Sequence, residues 1–171
     1  EAKLGLNDPA HVQYWRWASG LIRGDLGTSL VMERPAGPIL ADTVSKSAIL
    51  AGLSIGLVAF VGIAVGVYAG VRHGKAADHV VSVATYVNIA VPEFLFAIVV
   101  VMLFAGYLNW LPATGYSDVS NGFGAWARHI VLPVATLVLG LMAHISRLTR
   151  SSMIDTMQSQ YVRAARARGL P

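Results

Sequence analysis

Cysteine is absent from the 171 residues, which rules out disulfides and thiolate metal sites and leaves the redox compartment unmarked. Charge is scarce as well. Asp, Glu, Lys and Arg make up 13% of the chain, about half of what soluble domains carry, so most soluble classes are excluded. The histidines, His11, His73, His79, His129 and His144, never fall at i and i+4, and no metal site is expected. No methionine stands first and no cleavable leader pattern is present, so the expectation is a piece of a longer protein.

What is present is apolar. Hydrophobic residues reach 55% and mean hydropathy is +0.58, the composition of a membrane protein. Ser47 to Val71 contains no charge and exceeds the roughly 20 residues that cross a bilayer core. A second stretch, 80–107, is interrupted only by Pro92-Glu93, and its length leaves room for tilt or a kink. The third, 129–146, is close to the minimum length, with Pro133 near its start where proline costs a helix least. These limits divide the chain into an extracytoplasmic interfacial segment 1–46, a transmembrane bundle 47–146 and a cytoplasmic segment 147–171.

Basic residues set that orientation. Segment 1–46 balances Lys3, Arg16, Arg23, Arg34 and Lys46 against Glu1, Asp8, Asp25, Glu33 and Asp42, and 108–128 balances Asp118 against Arg128. The opposite side holds Arg72, Lys75, Arg147, Arg150, Arg163, Arg166 and Arg168 against only Asp78 and Asp155. Excess Lys and Arg mark the cytoplasmic side. Topology therefore accounts for the net charge of +4, and no nucleic-acid partner is implied.

Within 1–46, Tyr14, Trp15 and Trp17 stand among Arg16 and Arg23 in a short helix expected from Pro9 to Leu21, a pattern that favours contact with lipid headgroups. Gly24 to Ser29 breaks that helix, Arg34-Pro35 and Gly37-Pro38 extend the chain, and Asp42-Thr43 opens the first membrane helix. Small residues then recur in helical register. Gly52 and Gly56, and again Gly62, Gly66 and Gly70, form strips on which another helix can pack closely.

Several catalytic patterns fail on context. Gly52-Leu53-Ser54-Ile55-Gly56 fits the G-x-S-x-G elbow but lies inside an apolar helix rather than at a strand-to-helix turn. An intramembrane serine hydrolase using Ser54 and His144 would need both at one depth, and at 1.5 Å per residue they differ by roughly 12 Å. Gly70 to Lys75 is a residue short of a P-loop and is followed by Ala76, so ATP is not expected to bind there. Gly122 to Ala127 imitates a dinucleotide fingerprint without its strand and reads as a loop.

Glu93 differs from these. A carboxylate within a membrane stretch is expensive and marks function by default. Pro92 frees a carbonyl near Asn88 and turns the helix, so Tyr86, Asn88, Pro92 and Glu93 are the candidate lining of a translocation path.

Several motifs resemble one family when taken together. They are Leu4 to Pro9, Gly24 to Ser29, Asn109 to Gly115, His129 to Pro133, Ser146 to Met153 and Tyr161 to Leu170. Their order and spacing are similar to those of the permease subunits of bacterial dipeptide, oligopeptide and nickel ABC importers. The last of them matches that family's E-A-A-x-x-x-G signature with Ala164, Ala165 and Gly169, while Arg163 replaces the acid.

The resemblance implies an all-α, polytopic membrane bundle, here a fragment with about three transmembrane helices, located in the bacterial inner membrane. It implies three partners: a second permease subunit, an extracytoplasmic substrate-binding protein and cytoplasmic ATPase subunits. ATP and Mg would reside in those ATPases, with no cofactor and no enzymatic activity in this chain. Arg163, Ala164, Ala165, Arg166 and Gly169 would form the ATPase-coupling element, with Gly169 and Pro171 turning the chain back to the membrane. A fragment lacking the family's first and last helices is not expected to transport alone. The rival readings are a membrane scaffold that carries no solute and the intramembrane hydrolase.

Overall fold

The computed structural model describes residues 8–169; the Leu4 to Asn7 part of the first motif, Leu170 and Pro171 lie outside that range. Contacts divide the chain into two compact units, Glu1–Ile49 and Leu50–Pro171.

In the first unit, helix α1 (Ala10–Ile22) starts directly after Pro9, whose φ of −56° already suits helical entry. Asp8 fastens this start. Its carbonyl accepts from Gln13 Nε2 at 2.7 Å, and its carboxylate pairs with Arg16 at 2.8 Å. The rings of Trp15 and Trp17 each lie 6.0 Å from that of Tyr14, and all three are exposed. After the helix, Asp25 accepts the Gly27 N–H at 2.9 Å. Two short strands follow, β1 (Thr28–Ser29) and β2 (Arg34–Pro35), paired antiparallel with Thr28 opposite Pro35 and Ser29 opposite Arg34.

Helix α2 (Ala36–Leu57) begins at Ala36 rather than at Asp42. Gly37-Pro38, expected to be extended, forms its first turn, where proline forfeits no hydrogen bond because those N–H groups lack helical partners anyway. A π-helical turn, Val58–Gly62, leads into α3 (Ile63–Val71), giving one apolar helical run of 36 residues.

The second expected stretch is sharply bent at Pro92. It comprises α4 (Ala76–Ala90) and α5 (Glu93–Val101), the latter continued by a π-helical stretch, Met102–Tyr107, and the two halves meet at 96°. Pro92 explains the break, since it has no N–H to continue the ladder and holds Val91 in extended conformation, φ −92° and ψ 126°.

Helix α6 (Phe123–Met157) is longer than its uncharged centre suggested. The Gly122 to Ala127 segment, expected as a loop, supplies its N-cap and first turns, so Pro133 lies well inside the helix rather than near its start. A polar or aromatic opening is no obstacle to helix at the membrane interface, and a charge count misses it. After Gln158 and Ser159 comes α7 (Gln160–Ala167).

The α3 and α6 helices run parallel in a fixed register. A Cβ built on Gly62 would meet Ile145 at 3.2 Å, one on Gly66 would meet Thr149 at 2.6 Å, and one on Gly70 would meet Met153 at 2.5 Å. Each step of four on one helix is matched by four on the other, and Ser146 Oγ donates across the seam to the Gly62 carbonyl at 3.1 Å. Gly52 and Gly56 behave differently, with nothing within 4 Å of an added Cβ. There the helices diverge around an apolar groove of about 660 Å³ between Gly52, Gly56 and Phe60 on one side and Trp126, Ile130 and Val134 on the other. Small residues thus give backbone contact on one strip and an open face on the other.

Candidate functional site

Where α6 leaves its uncharged stretch, it is fastened to the turn between α3 and α4. Asp78 occupies the first turn of α4, where a negative charge is favoured by the helix dipole. Its carboxylate, 1% exposed, accepts from the Gly74 N–H at 3.0 Å and lies 3.0 Å from His73 Nδ1. From α6, Arg150 grips it with both forks: Nη2 donates to Oδ2 at 2.9 Å, and Nε donates to Oδ1. Gly74 can present its N–H because it adopts φ +77°, a conformation a side chain would strain.

Asp78 and Arg150 lie outside the uncharged stretches 80–107 and 129–146. Hydrogen bonding to Arg150 holds the Asp78 carboxyl well below the usual carboxylate range, although burial alone would raise it. The same bond raises the Arg150 guanidinium. Such a pair is bidentate and almost fully satisfied, the arrangement in which burying charge is tolerated. In the sequence Asp78 stands out only in the charge balance, and Arg150 there and in the Ser146 to Met153 motif. An acid alone among basic residues, in a helix's first turn, was the available signal; a partner 72 residues away was not visible.

The expected path residues do not share one helix but flank the bend between α4 and α5. Tyr86 lies beside Ser146, Arg147 and Arg150. Glu93 opens α5 beyond the bend and rests on α6: a Cβ on Gly140 would come within 2.9 Å of its Cδ and 3.0 Å of its Oε1. Asn88 is half-buried and Pro92 exposed. Nor do Ser54 and His144 meet. Ser54 is 2% exposed with its Oγ unbonded, whereas His144 Nδ1 faces the Gly140 carbonyl at 3.3 Å. The α3–α6 register extrapolates to a depth difference of about 10 Å.

In α7, Arg163 turns back on its own helix start, donating from Nε at 3.0 Å and Nη2 at 2.7 Å to the Gln158 carbonyl. Its guanidinium thus fixes the corner between α6 and α7. Ala164 and Arg166 are exposed, and Ala165 is half-covered. Gly169 ends the element at φ +83°, donating its N–H to the Arg166 carbonyl at 3.0 Å.

Long apolar helices, parallel glycine-mediated packing and an ion pair at one end define a helical protein of the membrane. Similarity to known proteins makes the class specific. Residues 62–171 match the family described as "Binding-protein-dependent transport system inner membrane component". The chain is 34% identical over 98% of its length to the "Probable peptide ABC transporter permease protein y4tP" of Sinorhizobium fredii, of which it covers 53%. It is 32% identical over 98% of its length to the oligopeptide transport system permease protein AppB of Bacillus subtilis, covering 54% of it. To the oligopeptide transport system permease protein OppB of Escherichia coli it is 34% identical over its whole length, again covering 54%. The chain therefore belongs to the family of inner-membrane components of binding-protein-dependent transport systems. It spans about half the length of these relatives.

Proposed function

We propose that this chain is part of a permease subunit of an ABC importer that moves peptides across the bacterial inner membrane. The observation that carries the reading is similarity over nearly the whole chain to permease proteins of peptide and oligopeptide transport systems. The path forms with a second permease subunit, an extracytoplasmic binding protein delivers the solute, and cytoplasmic ATPase subunits hold ATP and Mg and carry out hydrolysis. The chain itself contributes no catalytic group and no cofactor.

Three features support the division of labour. The basic residues of 72–75 and 147–168 orient α7 to the cytoplasm. There Arg166 and the small residues Ala164, Ala165 and Gly169 offer the ATPase a surface whose angle Arg163 sets. The Asp78–Arg150 clamp makes the α3–α4 turn follow any displacement of α6, so force received at α7 reaches the bend at Pro92 and Glu93. The complete permease, reconstituted in proteoliposomes with its ATPases, second permease and binding protein, is expected to accumulate labelled peptide only with ATP. A complex that assembles and hydrolyses ATP yet accumulates no peptide at any concentration would refute the reading in favour of a scaffold.

A further inference from the structure

Glu93 is an acid in an apolar stretch of sequence. It follows a 96° break and opens α5, whose remaining residues, Phe94 to Val101, are apolar. The residue is exposed. Among the described residues no ion pair includes Glu93. Its carboxylate nevertheless has a prepared seat. An added Cβ on Gly140 would lie 2.9 Å from Glu93 Cδ, so glycine at 140 is what allows the acid to lie against α6. The start of α5, with its unpaired N–H groups, further favours negative charge at this point.

A charge at membrane depth is retained when it faces a water-filled cavity or meets a cation. Resting on the reading of the chain as a peptide permease, we propose that Glu93 is a binding residue for the ammonium group of the translocating peptide, and that Gly140 is the positioning residue that leaves room for it. The N-terminal ammonium is the cationic group common to unmodified peptides, and a carboxylate exposed at the helix break can accept its hydrogen bonds. The chain thereby selects for free-amine peptides after the binding protein has released them.

The test uses the complete importer in proteoliposomes, with a free-amine peptide and its N-acetylated counterpart, each supplied at a concentration that saturates the binding protein. At equal occupancy, the wild type is expected to carry the free-amine peptide roughly tenfold faster or more, the discrimination of one charge-assisted hydrogen bond. Glu93→Gln should bring the free-amine rate down to the acetylated rate and leave the latter unchanged. Glu93→Asp should retain part of the preference, and Gly140→Ala, which displaces the carboxylate, should lose it selectively. Equal slowing of both peptides, no change in either, or poor assembly of Glu93→Gln and Gly140→Ala alike would overturn the assignment; the last result would mean that a partner subunit neutralises the acid. Uptake of neither peptide by the wild type overturns the peptide reading and this assignment with it, a result distinct from loss of selectivity alone.

Discussion

Gly66→Ala tests the α3–α6 seam. The new Cβ would lie 2.6 Å from Thr149 Cβ and 2.7 Å from the Ser146 carbonyl oxygen. Ordinary carbon contacts are about 3.5–4.0 Å, and the oxygen belongs to backbone, which cannot rotate aside. The helices must part by about 1 Å. Overpacking of this kind costs about 2 kcal/mol, and stretching the bond from Ser146 Oγ to the Gly62 carbonyl, now 3.1 Å, adds roughly 0.6 kcal/mol. Alanine's better helix propensity returns about 1 kcal/mol, leaving a net loss of about 1–2 kcal/mol. Gly52→Ala has open space around its Cβ and should gain up to about 1 kcal/mol from propensity alone. Opposite signs are therefore expected from the same substitution on one helical run. Steric-trapping measurements of unfolding in bicelles, on the complete permease, would report both. A Gly66→Ala protein as stable as wild type, or one no worse than Gly52→Ala, refutes the packing register.

Asp78→Asn should destabilise the complex by about 1–3 kcal/mol, because it leaves Arg150 half-covered without its counter-charge; exchanging the residues as Asp78→Arg with Arg150→Asp should not rescue it, since arginine cannot accept the Gly74 N–H. The lowered carboxyl of Asp78 sets the pH dependence: its contribution is complete above the unfolded carboxylate range near pH 4 and is lost as pH falls through the still lower folded value. In a His73→Asn background, where no imidazole stands 3.0 Å from the carboxylate, the stability gap between the Asp78 and Asp78→Asn proteins should hence be constant from pH 8 to 5, and a gap that closes there would place the titration elsewhere. Gly169→Val, at φ +83°, should strain the end of α7 by roughly 1 kcal/mol or more and weaken co-purification of the ATPase at equal permease expression; undiminished attachment with normal transport would show that coupling lies elsewhere. With other thiols removed from the complex, cysteines at Ser29 and Ser159 should be labelled by an impermeant reagent from outside and inside respectively, and the reverse pattern overturns the orientation.

Charge-free length and glycine spacing were enough to read membrane helices and a packing strip from the residues themselves, because both depend on neighbours within a few turns. The boundaries were less legible. Ala36 and Phe123 begin helices among polar, proline-bearing residues that a charge count discards, and Pro92 ends a helix that apolar length alone would continue. The distinction between Gly66, pressed on α6, and Gly56, facing a groove, also depends on where a distant helix lies. So does the clamp at Asp78. The bond from the Arg163 guanidinium to the Gln158 carbonyl likewise has no signal in the motif, which gives the residue's position but not the path of the chain at the α6–α7 corner.

The length of α6 has a mechanical consequence. Its tight contact centres near Thr149, opposite Gly66. From there to Met157 is about 12 Å of helix, and from there back to Pro133 about 24 Å. With the seam as fulcrum, a sideways displacement of 1 Å at Met157 becomes roughly 2 Å in the opposite direction at Pro133, next to Val134 of the groove. The short arm receives force and the long arm amplifies travel, so a small displacement at the α7 end is doubled in the far half of the bundle.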